Sequence, residues 1–119
     1  MKFEADNAFS VFPRLEMAIE ASVALNAAVA CENEKFPEDF AIRLSIGLDH
    51  GRILLLEGRD YFGDPVNTAC KLGEDLARPG EILVPRTALE TFAQQSGWNG
   101  AEVNFSISGI ELEAVSIDY

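Results

Sequence analysis

A chain of 119 residues with a formal net charge of −11 has room for one domain and one modest core. That charge excludes the basic footprint that duplex nucleic acid or an anionic membrane surface requires. With 48% apolar and 24% charged residues, the composition is that of a globular fold rather than a disordered segment. An acidic chain can still hold a nucleotide, because a few local cations and backbone N–H groups suffice for phosphates. Cys31 and Cys70 are too few for a disulfide framework and lack metal-ligand spacing. They read as core thiols of a reducing compartment. No apolar run reaches the ~18 residues of a membrane span. The first residues lack the pattern of a signal peptide, so a cytoplasmic location is expected.

Residues 1–12 read as a short hairpin, with Lys2-Phe3 and Ala8 to Phe12 strand-like and Ala5-Asp6-Asn7 as the turn. Pro13 opens a helix, where its missing N–H costs little. That helix is expected to run to about Asn33, with Leu15, Ile19, Ser22 or Val23, Asn26 and Val29 at helical spacing. Phe36 to Asp39 is a loop. Ala41 to Leu48 alternates Ile42, Leu44, Ile46 and Leu48 with polar or small residues, which predicts a strand. Asp49-His50-Gly51 is then a turn, and Arg52 to Glu57 returns as the second strand of a hairpin.

Gly63 to Ala77 has the pattern of a second long helix, ended by Arg78-Pro79-Gly80. Glu81 to Val84 is a strand, Arg86 to Gln95 a third helix, and Val103 to Phe105 and Ile110 to Tyr119 closing strands around Ser108-Gly109. Strands interleaved with helices predict an α+β fold, a ferredoxin-like α/β sandwich. The whole of 1–119 reads as a single domain.

The entry to the second helix carries the chemistry. Asp60-Tyr-Phe-Gly-Asp-Pro-Val-Asn67-Thr-Ala-Cys-Lys71-Leu72 places an acid, an amide and a cation around a helix N-terminus. Asn67 and Lys71 are four apart and therefore share a face. That combination suits a phosphorylated ligand. With Lys2-Phe-Glu-Ala-Asp6, Ala8-Phe-Ser-Val-Phe-Pro13, Ile46-Gly47 through Gly51, and Pro79-Gly-Glu-Ile-Leu83, the chain resembles the catalytic domain of class III nucleotidyl cyclases, in a bacterial branch, over residues 2 to about 92.

The resemblance implies the class III cyclase fold lacking its first strand and helices. It also implies a site shared between two subunits, in a homodimer or a pairing with another cyclase-type domain. Asp6 matches a metal aspartate, for Mg²⁺ or Mn²⁺. Lys2 and Asp60 match the base-reading pair, in the lysine–aspartate form that goes with ATP more than GTP. Asn67 matches the asparagine that orients the ribose. Lys71 stands where the family usually has arginine, which keeps the charge and loses the fork. Ser108 stands where a triphosphate-binding lysine is usual, and the first metal aspartate has no counterpart. His50 reads as a turn residue, and Asp64 as an acid favoured by the helix dipole.

The implied reaction is the conversion of ATP to 3′,5′-cyclic AMP and pyrophosphate, weak or absent in this chain alone. The alternatives are a degenerate cyclase-homology domain that binds nucleotide or a partner without catalysis, and a plain ferredoxin-like dimerisation module.

Overall fold

Alternating apolar residues and three helical stretches set the order of elements. In the computed structural model, residues 2–4, 7–51, 54–56, 60–62, 64–93, 96–107 and 109–119 are described, with backbone alone for 2–4, 54–56, 60–62, 107 and 110. Strands β1 (Lys2–Glu4) and β2 (Asn7–Phe9) open the chain, followed by α1 (Leu15–Asn33) and a single 3-10 turn at Glu38–Phe40. Next come β3 (Ile46–Gly47), β4 (Leu54–Leu56), β5 (Asp60–Phe62) and α2 (Asp64–Cys70), which runs on as a π-helical turn over Lys71–Leu76. Strand β6 (Ile82–Pro85), α3 (Arg86–Phe92), β7 (Gly100–Ile107) and β8 (Ile110–Ile117) complete it.

The central sheet has the order β3–β6–β8–β7, with β3 parallel to β6 and the other pairs antiparallel. Alternation sends its side chains to two faces. Ile82, Val84, Val115 and Ile117 pack with Leu15 and Ile19 of α1 and with Ala88 and Leu89 of α3. Leu83 and Ala114 pack on the opposite face against Leu72 of the π-helical turn. The sheet is thus a filling between helices on both sides, as the α+β sandwich reading expects. Leu15, Ile19, Leu72, Ile82, Leu83 and Val84 are its largest fully buried side chains. Each contributes about 1.5–3 kcal/mol by leaving water.

Helix α1 turns one narrow face inward: Leu15, Ile19, Ser22 and Asn26, spaced four, three and four. Its two buried polar residues are satisfied. Ser22 Oγ donates to the Ala18 carbonyl at 2.7 Å. Asn26 Nδ2 donates to Tyr119 Oη at 2.9 Å, and the Tyr119 hydroxyl donates to the Gly80 carbonyl. At the other end of α1, Asn33 brackets Ile42 from both sides, donating to its carbonyl at 2.7 Å and accepting from its N–H at 2.8 Å. Helix α3 opens with Arg86, whose guanidinium faces Glu90 at 3.9 Å, Glu102 at 3.5 Å, and Glu113.

Three expectations are corrected. The segment 41–48, expected to form a hairpin with 52–57, does not pair with the described part of it, Leu54–Leu56. Its ladder is limited to Ile46–Gly47 and lies parallel to Ile82–Leu83, extended by bonds from Gly80 N–H to the Leu44 carbonyl (2.7 Å) and from Leu48 N–H to the Leu83 carbonyl (2.8 Å). Strand β4 pairs instead with β5, Leu54 opposite Phe62 and Leu56 opposite Asp60. The reason is the crossover. The β4–β5 hairpin and α2 sit between β3 and β6, and a parallel pair needs such a connection. Ile42, expected in the buried stripe, is 62% exposed because it lies before the ladder begins. Cys31 is exposed on α1 rather than in the core, and Cys70 is half-buried.

Candidate functional site

Helix α2 starts where the sequence places a start: Asp64 in the first turn, favoured by the helix dipole, then Pro65 with no N–H to leave unpaired. Among the described residues, Asn67 and Lys71 are both exposed on its outer edge. Lys71 begins the π-helical turn, a wider winding that occurs mostly as single turns and often at functional sites. Its ammonium lies 3.8 Å from the Asp75 carboxylate, both groups half exposed. Such a pair is worth about 0–1 kcal/mol, so a phosphate can displace it at little cost.

The inner edge of the same helix is held by the segment that leaves β3. A Cβ placed on Gly47 would run into the Ala69 carbonyl oxygen and the Gly73 nitrogen, and would lie 2.9 Å from Leu72 Cβ. A Cβ on Gly51 would lie 2.6 Å from Pro65 Cγ. Between them, the Asp49 carboxylate accepts from its neighbour His50 N–H at 2.8 Å and from the Thr68 hydroxyl. Burial pushes the Asp49 carboxyl above its ordinary value, against the opposing pull of these two donors and of the His50 charge. The His50 ring stacks on Phe92 of α3, centroids 3.9 Å apart. His50 therefore lies not at a hairpin tip, as expected from the sequence, but in the segment that leaves β3, clamped by packing on Phe92.

The first hairpin reaches the same helix. Asn7 Nδ2 donates to Glu74 Oε1 at 2.6 Å, across 67 positions of sequence. This contact brings the start of β2 next to the π-helical segment. Lys2 has its backbone in β1 opposite Phe9. Asp60 has its backbone in β5 opposite Leu56, four residues before α2. The side chains of Lys2 and Asp60, and the whole of Asp6 and Ser108, lie outside the described residues. The structure thus brings Asn67 and Lys71 together and docks the hairpin that carries Lys2 on the same helix.

Among the described residues no three His, Cys, Asp or Glu side chains gather as a cation site. Two clefts, of about 340 and 530 Å³, run along the end of β8 and are lined by residues such as Glu81, Ser116 and Asn99. Neither is lined by α2, whose outer edge is an open surface. Four participants went unassigned in the sequence: Gly73, Asp75, Glu74 and the role of Asn7. Asp75 has a local signal, four residues after Lys71. Glu74 has none, because its partner is remote in sequence.

No family model matches the chain. Over 67 residues, 56% of its length, it is 43% identical to "Putative adenylate cyclase 3" of Rhizobium meliloti (strain 1021). The match spans 11% of that protein. By fold it is similar to the solved Adenylate/Guanylate Cyclase/Hydrolase from Silicibacter pomeroyi, with a TM-score of 0.71 and 24% identity over 89% of this chain and 63% of that one. Among the described residues, no helix is long and apolar enough to cross a membrane.

Proposed function

From a chain that is a class III cyclase-like domain, by fold and by a 67-residue stretch of sequence, we propose an adenylyl cyclase-type role: ATP is bound at the outer edge of α2 and closed to 3′,5′-cyclic AMP in a site completed by a second domain. The observation that supports it is the pairing of Asn67 and Lys71 on one exposed edge with the first hairpin tied to the same helix through Asn7 and Glu74. An open edge of this kind needs a facing surface to exclude water, which fits a site completed by a second domain.

In this reading the ribose 3′-oxygen attacks the α-phosphorus, the bond to the bridging oxygen breaks, and pyrophosphate departs. The 3′-hydroxyl proton leaves to solvent or to the departing pyrophosphate. Asn67 holds the ribose so that attack is in line, and orientation of this sort accounts for much of such a barrier. Lys71 leaves Asp75 and places its charge on the crowded phosphorus. Lys2 and Asp60 read adenine. Mg²⁺ or Mn²⁺, with Asp6 as ligand, belongs to the same reading. The described donors do not make a cation site by themselves.

The test is incubation of the chain with ATP and Mn²⁺ and assay for 3′,5′-cyclic AMP. The expected result is slow formation that rises more than linearly with protein concentration and falls by about 10²-fold or more in Asn67→Ala, since orientation is lost. Formation unchanged by Asn67→Ala sinks the reading. A second reading, nucleotide binding without catalysis, is favoured by one observation: the cation at 71 is a lysine already engaged by Asp75. ATP binding with no product, unaltered by Lys71→Arg, selects it.

A further inference from the structure

Residues 45–51 run along the inner edge of α2 in the opposite direction to the helix. Gly47 meets Ala69 and Gly73, Asp49 meets Thr68, and Gly51 meets Pro65. Positions 65, 68, 69, 72 and 73 therefore face the strand, while 67 and 71 face away. At Gly47 and Gly73 the two backbones touch directly. A Cβ on Gly73 would lie 2.9 Å from the Gly47 nitrogen and 3.5 Å from its Cα. The obstructing atoms at both glycines are mainly backbone, which cannot swing aside as a flexible side chain would. Neither glycine has positive φ. What they supply is space, not conformational freedom.

We propose that Gly47 is a positioning residue of the nucleotide site: its bare backbone is the seat on which the π-helical turn rests, and it fixes where Asn67 and Lys71 stand. The proposal rests on the reading of that outer edge as the phosphate-handling one. The seat lies opposite the two residues it positions and touches neither, so it acts through helix placement. Gly73 at the third position of the π-helical turn is its counterpart. A methyl at Gly47 displaces the helix by about 1 Å, and displacements of that size cost roughly 10²-fold in rate when a reacting geometry is disturbed.

The experiment compares Gly47→Ala and Gly73→Ala with the unmodified chain, titrating each with ATP and with adenosine. Near-UV circular dichroism of Trp98 shows which variants stay folded. In Gly47→Ala, ATP affinity is expected to fall about tenfold or more while adenosine affinity changes about twofold or less, because adenosine meets the displaced edge only through its ribose at Asn67 and lacks the phosphates that Lys71 holds. Gly73→Ala shows the same bias at smaller size. If both ligands weaken equally, or if folded variants bind ATP as the unmodified chain does, the positioning role is overturned. If Gly47→Ala unfolds, Gly73→Ala decides by the same criterion. If the unmodified chain binds neither ligand, the nucleotide reading fails separately. Amide hydrogen exchange over residues 65–76 then tests the seat alone: unchanged protection in the folded alanine variants overturns it.

Discussion

The sheet centre and the candidate site are built on different principles. Strand β6 contributes Ile82, Leu83 and Val84, all 0% exposed, with helices on both faces. The site side uses two-stranded hairpins whose strands are three residues long, an exposed helix edge, and single polar contacts such as Asn7 to Glu74. Apolar area stabilises the first region, while backbone proximity and a handful of polar groups shape the second. The difference teaches that the stability of this domain and the geometry of its site can be altered nearly independently. Among the described residues they join at Leu72, buried between the sheet and the helix that carries Asn67.

The sharpest way to break that separation is in the sheet. Ile82→Ala removes a fully buried side chain at the centre of the larger cluster and is expected to cost about 2–5 kcal/mol, read from denaturant unfolding. Loss that small-residue repacking cannot restore would confirm that the core is set by volume; a loss below about 1 kcal/mol would contradict the burial.

A smaller effect separates two carboxylates by pH. Glu81 is desolvated, which raises its carboxyl, but the Arg78 backbone N–H, the Ser116 hydroxyl and the Arg78 guanidinium together outweigh that and hold it below the ordinary value. Its contribution is present above the unfolded pKa and is lost as pH falls through the folded one. Asp49 is raised, so the sign reverses: its contribution is present in acid and is lost as pH rises through its folded pKa. Unfolding midpoints across the acid range are expected to show Glu81→Gln removing an acid-side loss of stability. Asp49→Asn is expected to raise stability at neutral pH relative to the unmodified chain. The same sign for both variants would refute the assignment.

The smallest effect belongs to the site surface. Asp75→Asn frees Lys71 from an exposed pair and is expected to change stability by about 0.5 kcal/mol or less. Its ATP affinity should rise modestly, since a competitor for the cation is gone. An unfolding shift well beyond that size would mean that the π-helical turn depends on the pair.

How much was legible follows the same division. Helix α1 and the β7–β8 hairpin were readable because long periodic runs and Gly109, with φ of +80°, mark them locally. The face shared by Asn67 and Lys71 was readable because helical spacing alone dictates it. The parallel pairing of β3 with β6 was not, because alternation in 41–48 states which residues face inward and nothing about the partner. Strand β5 was missed because three residues, Asp60 to Phe62, are too short to show a period. The contact between Gly47 and Gly73 was hidden because a glycine in sequence does not reveal what crowds it.

The cluster at Arg86 has a consequence for ionic strength. One guanidinium there answers Glu90, Glu102 and Glu113, on a molecule already carrying −11. Its attractions act over 4 Å or less, well inside the ~8 Å Debye length of physiological salt, and are screened little. The repulsions of that corner from the remaining carboxylates act over longer distances and are screened more. With three carboxylates around one guanidinium, moderate salt screens repulsions as well as attractions, and is expected to weaken the seam between α3 and the β7–β8 hairpin less than it weakens an ordinary exposed ion pair.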